Sequence, residues 1–292
     1  MASILEWSLA PIIMGFIAGA TVFLGTLPFP IIARRAGLRG VGLLQALSGG
    51  VLAYLALEVG AAVSEYVESL ASPATLREFL IASLSTTVAL LGTWYMLSAS
   101  ENWGGIDALV RSSLLKAISI DSAARPAAYK ALSMAGRTSV IVALGLGIHN
   151  VGEGFAIAAA LLGGAVASAV LFTIGFAIHN FTEGFAIAGP LTGEAGKIHK
   201  MPLGFLAITA AIAALPTMAG ASIYYIAPPS DMLVALLNTI AEASLVYALI
   251  RVNLSALGKL GGPSSPLFWT ALGLGVALTY GIESMVLLAL AT

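Results

Sequence analysis

The sequence predicts an all-α, polytopic membrane protein with eight transmembrane helices in a single transmembrane domain over residues 1–292. Three observations carry this. First, 59% of the residues are hydrophobic and only 9% are charged, against about 25% charged in an ordinary soluble domain. A water-facing surface cannot be built from so few charges, and a disordered chain would not be so apolar. Second, the apolar residues form long unbroken runs, unlike the short alternating segments of a transmembrane barrel. Third, the basic residues fall almost entirely in every other loop, on one side of those runs.

Each run has the roughly 20 residues needed to cross about 30 Å of hydrocarbon. The first, about 8–33, carries Pro28 and Pro30. The second, about 41–64, holds Glu58, and the third covers about 79–100. A longer segment, 101–137, is expected to be a cytosolic loop with a weakly amphipathic helix from Ile106 to Ile118, an interfacial helix or a mobile linker. The fourth and fifth runs, about 138–163 and 166–191, meet at a tight turn near Gly163-Gly164, and Pro190 ends the fifth. The sixth, about 202–226, contains Pro216 and Thr217. The seventh, about 231–250, contains Glu242, and the eighth, about 266–290, contains Glu283. A proline inside a spanning helix removes a hydrogen bond and kinks it, for packing or for gating alike. Glu58 and Glu242 are candidate pathway residues or satisfied structural hydrogen-bonders; Glu283 is the weaker candidate.

Twelve of the 13 basic residues fall in the odd-numbered loops: Arg34, Arg35 and Arg39; Arg111, Lys116, Arg125, Lys130 and Arg137; Lys197 and Lys200; Arg251 and Lys259. Only Arg77 lies on the other side. The positive-inside rule then makes the odd loops cytosolic, with both termini outside a cell membrane. The net charge of −1 offers no clustered positive surface for nucleic acid. The absence of cysteine excludes disulfides and thiolate metal sites. Divalent metal ions and the lipid bilayer are the expected partners, with no prosthetic group.

The chemistry is carried by an internal repeat. The fourth run reads His149-Asn150-Val151-Gly152-Glu153-Gly154-Phe155-Ala156-Ile157-Ala158, and the fifth reads His179-Asn180-Phe181-Thr182-Glu183-Gly184-Phe185-Ala186-Ile187-Ala188. Eight of the ten positions match, and two of the three histidines lie here. A charged group in a bilayer costs about 2.5–3.5 kcal/mol on insertion scales, so each triplet needs compensation. Hydrogen bonding between helices would explain one such motif; two matched copies point to a shared ligand. At about 100° per residue, Glu lies angularly between His and Asn and could share one cation with each. Measured from the turn at Gly164, both triplets fall near mid-membrane at overlapping depth. Imidazole and carboxylate without thiolate favour Zn²⁺, Fe²⁺, Mn²⁺ or a similar ion over Cu⁺. His149, Asn150, Glu153, His179, Asn180 and Glu183 are therefore the candidate metal ligands. A paired midplane site suits a transporter. An intramembrane metal-dependent hydrolase is the alternative, although an HExxH motif is absent. His199, flanked by Lys197 and Lys200, reads as a solvated loop residue or a metal-release contact.

These features resemble the ZIP family of divalent metal transporters, closest to the branch with His-Asn-x-x-Glu-Gly on both central helices. Ala188-Gly189-Pro190 also matches that branch. The resemblance covers the whole chain in topology and is specific across 149–190. It implies transport of zinc, iron, manganese or cadmium into the cytosol by alternating access. It also implies a central helix pair framed by inverted three-helix repeats, and a homodimer. Glu153 and Glu183 would bridge two metals, His149 and His179 would bind one, and Asn150 and Asn180 the other. Two departures stand out. Many relatives carry a glutamate on the sixth span, where this chain has no acid and Thr217 stands in the approximate place, so one metal or two is left open. The motif proline is replaced by Gly152 and Thr182.

Overall fold

The computed structural model describes residues 9–115, 125–191, 202–226 and 230–291. All regular structure among the described residues is helical. The helices are α1 (Ala10–Thr26), α2 (Phe29–Ser69), α3 (Leu76–Ser100), α4 (Gly104–Leu109), α5 (Arg125–Leu162), α6 (Val166–Ala188), α7 (Leu203–Ile223), α8 (Asp231–Leu260) and α9 (Pro266–Ala291). Lys116, Lys197, His199 and Lys200 lie outside the described residues.

The prolines decide where the first predicted run ends. It stops at Thr26 rather than near residue 33. Neither Pro28 nor Pro30 has an N–H to donate, and a proline ring collides with the carbonyl four residues back. Leu27 N–H still donates to the Phe23 carbonyl at 2.9 Å, and the ladder resumes with Ile31 N–H on the Pro28 carbonyl at 2.9 Å. The next element, α2, joins two helices across a kink at Gly37, inside the stretch expected as the first basic loop, which carries Arg34, Arg35 and Arg39. Its one non-helical residue is Gly37, at φ 65°, a region that glycine enters without steric cost.

The described residues of the long central segment are largely helical. Residues 104–115 form α4 and a following π-helical turn, Val110–Leu115. α5 begins at Arg125, so 125–137 is helix and not loop. Ile106, Val110 and Leu114 pack with Phe29, Leu132, Phe185, Phe205 and Leu206 in one buried cluster. Arg137 pairs with Asp107 at 2.5 Å, and the Glu101 carboxylate receives Arg251 and the Tyr247 hydroxyl of α8. The segment is thus docked by an apolar stripe and pinned by ion pairs.

Six helical stretches among the described residues are long and apolar enough to cross a membrane, against eight marked in the sequence. α1, at 17 residues, reaches about 25 Å, short of the hydrocarbon thickness. The 26 residues of α9 are not among the six. Large apolar side chains stand exposed, among them Leu57, Leu84, Tyr95, Met96 and Leu287. A soluble monomer rarely tolerates such a surface; lipid does. The chain is a helical membrane protein.

α5 and α6 occupy the middle. α5 packs on α7, α8 and α6; α6 packs on α1 and α2; α2 packs on α8 and α9. The turn between α5 and α6 is the tight one expected: Gly164 has φ 87°, and Ala165 N–H donates to the Ala160 carbonyl at 2.9 Å, closing the helix end. Backbones touch where the motif glycines lie. A Cβ on Gly154 would stand 1.7 Å from the Thr217 carbonyl oxygen of α7, and one on Gly184 would stand 2.5 Å from the Thr26 nitrogen of α1. Both clashes are with backbone, which cannot swing away. Gly154→Val should therefore lower the stability of the detergent-solubilised protein by about 2 kcal/mol or more. Gly152→Ala, whose added Cβ meets only the Ala241 Cβ at 3.9 Å, should melt like the parent. Thermal unfolding followed by circular dichroism checks both.

Candidate metal centre

The two motifs meet. His149, Asn150 and Glu153 on α5 and His179, Asn180 and Glu183 on α6 are all at most 6% exposed. Helical periodicity turns His and Glu, four positions apart, toward one side of their helix, and the antiparallel pairing of α5 with α6 sets those sides against each other.

Glu153 is the hub. Its Oε1 lies 3.3 Å from His149 Nε2 on its own helix and in closer contact with His179 Nε2 across the interface. Its Oε2 accepts from Asn180 Nδ2 at 2.9 Å. Ligand atoms of His149, Glu153 and His179 all lie within 4.8 Å of one another, and the two imidazole centroids are 6.3 Å apart. Two ligands held tetrahedrally by one zinc at about 2.0–2.1 Å sit about 3.3 Å apart. The His149–Glu153 spacing matches that value. The three side chains could close around one divalent ion with small rotations.

Glu183 is placed differently. The helical wheel made the two glutamates equivalent; the structure does not. Glu183 Oε2 accepts from Asn150 Nδ2 at 3.2 Å, and Glu183 Oε1 has no hydrogen-bond partner. Each asparagine uses its second amide hydrogen on a flanking helix: Asn150 donates to the Ala213 carbonyl of α7 at 3.0 Å, and Asn180 to the Ala18 carbonyl of α1 at 3.3 Å. Both asparagine Oδ1 atoms are buried without partners, as is Thr217 Oγ1. His149 Nδ1 has no partner, and Nε2, although near Glu153, is not aligned for a hydrogen bond. Buried polar atoms are normally paired. Unpaired nitrogens and oxygens are thus concentrated around the two motifs.

The other candidates separate. Glu58 lines a cavity of about 320 Å³ together with His149, Glu153 and His179. Glu242 does not line it; its carboxylate lies against Gly60, whose added Cβ would be 2.6 Å from Oε1. Thr217 is fully buried and its backbone abuts Gly154. Sequence reasoning ranked Glu283 low and passed over Asn238, yet both line the same cavity. The signal for them was weak: each is a single polar residue in an apolar run, and only packing shows that they face His149.

Compared with known proteins, the chain matches no family model and no curated protein.

The centre predicts a graded response. His179→Ala and Glu153→Ala should each weaken Cd²⁺ binding beyond detection in equilibrium dialysis. Asn180→Ala removes the amide that holds Glu153 Oε2 and the Ala18 carbonyl and should weaken it by about 10- to 100-fold. Equal affinity across the series would remove the centre from metal binding.

Proposed function

We propose that the chain transports divalent transition-metal ions across a cell membrane into the cytosol, with zinc the foremost substrate and iron, manganese or cadmium the alternatives. The observation that carries this reading is the convergence of His149, Glu153 and His179 around Glu153 Oε1 inside an apolar helical bundle. The ion is cargo, held by ligands that are neutral or anionic and contain no sulfur.

Three further features support a ZIP-type arrangement of eight spans. Exchanging α1 with α7, α2 with α8, α3 with α9 and α5 with α6 carries packed pairs onto packed pairs: α1 on α6 becomes α7 on α5, α2 on α9 becomes α8 on α3, and α2 on α6 becomes α8 on α5. The asparagine contacts exchange in the same way, Asn150 with α7 and Asn180 with α1. The Oδ1 atoms of Asn150 and Asn180, Glu183 Oε1 and Thr217 Oγ1 are buried without partners, and they are the oxygens from which a second ion site would be drawn. The cavity draws its lining from the parts of α2, α5, α6, α8 and α9 nearest the Gly163-Gly164 turn. The opposite end is packed by the cluster around Phe29, Ile106 and Phe205. Access from one side with the other closed suits alternating access. Termini outside, the 101–115 segment on the cytosolic side and a homodimer complete the reading.

Proteoliposomes containing the protein should accumulate Zn²⁺ or Cd²⁺, and both Glu153→Ala and Glu183→Ala should abolish uptake. Undiminished flux in the two variants defeats the assignment. Three nitrogen and oxygen ligands are also the complement of a catalytic zinc, so metal-dependent turnover of a lipid or peptide without flux would favour the hydrolase instead.

A further inference from the structure

Residues 104–115 cover the end of the bundle away from the Gly163-Gly164 turn. Ile106, Val110 and Leu114 recur at four-residue spacing and are at most 2% exposed, so they form one stripe on the segment. The stripe packs with Phe29 of α2, Leu132 of α5, Phe185 of α6, and Phe205 and Leu206 of α7. A Cβ on Gly136 of α5 would lie 2.5 Å from a Leu114 methyl and 3.1 Å from a Val110 methyl. The other face, at Ala108, Arg111 and Ser112, is exposed. One short amphipathic piece thus caps the helices that bear the metal motifs, on the side opposite the cavity.

The segment joins α3 through Asn102, Trp103, Gly104 and Gly105. Trp103 is extended, at φ −72° and ψ 126°, and a Cβ on Gly104 would meet nothing within 4 Å. A break of this kind between two elements is where a hinge absorbs backbone rotation. One guanidinium spans the joint. Arg137 of α5 donates through Nη1 to the Glu101 carbonyl at 3.3 Å, before it, and pairs through Nη2 with the Asp107 carboxylate at 2.5 Å, after it. Arg251 and the Tyr247 hydroxyl of α8 converge on the Glu101 carboxylate. All four charged side chains are partly exposed. Ion pairs within reach of water are weak and break at little cost, unlike the buried contacts of Glu153. The apolar stripe also has a second home, since an amphipathic segment at the end of a membrane bundle can lie in the lipid interface.

We propose that residues 104–115 are a displaceable plug over the ion's exit, latched by Arg137 across the joint and by Arg251 on Glu101, and that an ion held by His149, Glu153 and His179 leaves only when the plug lifts. This rests on the transport reading above.

The chain has no cysteine, so a tether can be introduced cleanly. Val110→Cys/Gly136→Cys places two thiols within disulfide reach, and the flexible end of Leu114 can turn aside. In proteoliposomes the oxidised double variant should lose Cd²⁺ uptake and regain it on reduction. The oxidised protein in detergent should still bind Cd²⁺ like the parent in equilibrium dialysis. Uptake at the parental rate by the fully oxidised protein overturns the plug. A second readout needs no transport. Leu206 is fully buried in the cluster that the stripe joins. A water-soluble maleimide should label Leu206→Cys slowly, and several-fold faster when Arg137→Gln is added and thermal melting shows the protein folded. Equal labelling rates with and without Arg137→Gln overturn the latch. A parent that does not take up Cd²⁺ defeats the transport reading, and the maleimide rates then decide the plug by themselves.

Discussion

Glu153 is the constraint on which the bundle turns. A carboxylate 3% exposed inside an apolar bundle cannot stand alone. Removing one partner from a buried charge costs far more than the pair contributes. Here the compensation comes from two imidazoles on one oxygen and an asparagine amide on the other. Two of these three groups, His179 and Asn180, come from one turn of α6, while His149 and Glu153 lie on α5, so the two helices must be level in depth here. That register in turn needs close backbone approach to α7 and α1, which Gly154 and Gly184 allow. A short polar motif thereby dictates the placement of four helices.

The same arrangement has a functional cost and use. The polar groups around Glu153 and Glu183 are not all satisfied: His149, Asn150 Oδ1, Asn180 Oδ1 and Glu183 Oε1 lack hydrogen-bond partners. In a structural cross-link these atoms would be paired, because each orphan is expensive in a low-dielectric interior. Under the transport reading proposed above, they are the atoms whose cost a bound cation would lower. The surrounding bundle directs access to it. A cavity reaches the imidazoles from one end, while the docked 104–115 segment and its apolar neighbours fill the other. The ion pairs from Glu101 and Asp107 to Arg251 and Arg137 hold that segment in place. They sit at the edge of the bundle, where charge is cheaper than at its centre.

Much of this was legible in the amino-acid order. Unbroken apolar runs set an all-helical membrane chain, and the doubled His-Asn-x-x-Glu-Gly named the six residues that the bundle brings together. Local chemistry sufficed there, because polar residues in lipid must be explained and a repeat explains itself only by pairing. Boundaries were less legible. Hydropathy alone carried the first run past Pro28, and the stretch of Arg34, Arg35 and Arg39, expected as a loop, is helix broken by a kink at Gly37. Hydropathy counts side chains and does not weigh the missing N–H of proline.

Sequence by itself determined the solvent, the helix type and the identity of the buried polar residues, since each depends on composition and near-neighbour spacing. Tertiary structure alone decided that Glu153 and not Glu183 gathers both imidazoles, that Glu242 turns to Gly60 while Glu58 turns to the cavity, and that Glu283 joins it. Two copies of one motif are equivalent on a helical wheel. They stop being equivalent once α5 and α6 pack against different neighbours, because which face a side chain meets is a property of the interface and not of the helix.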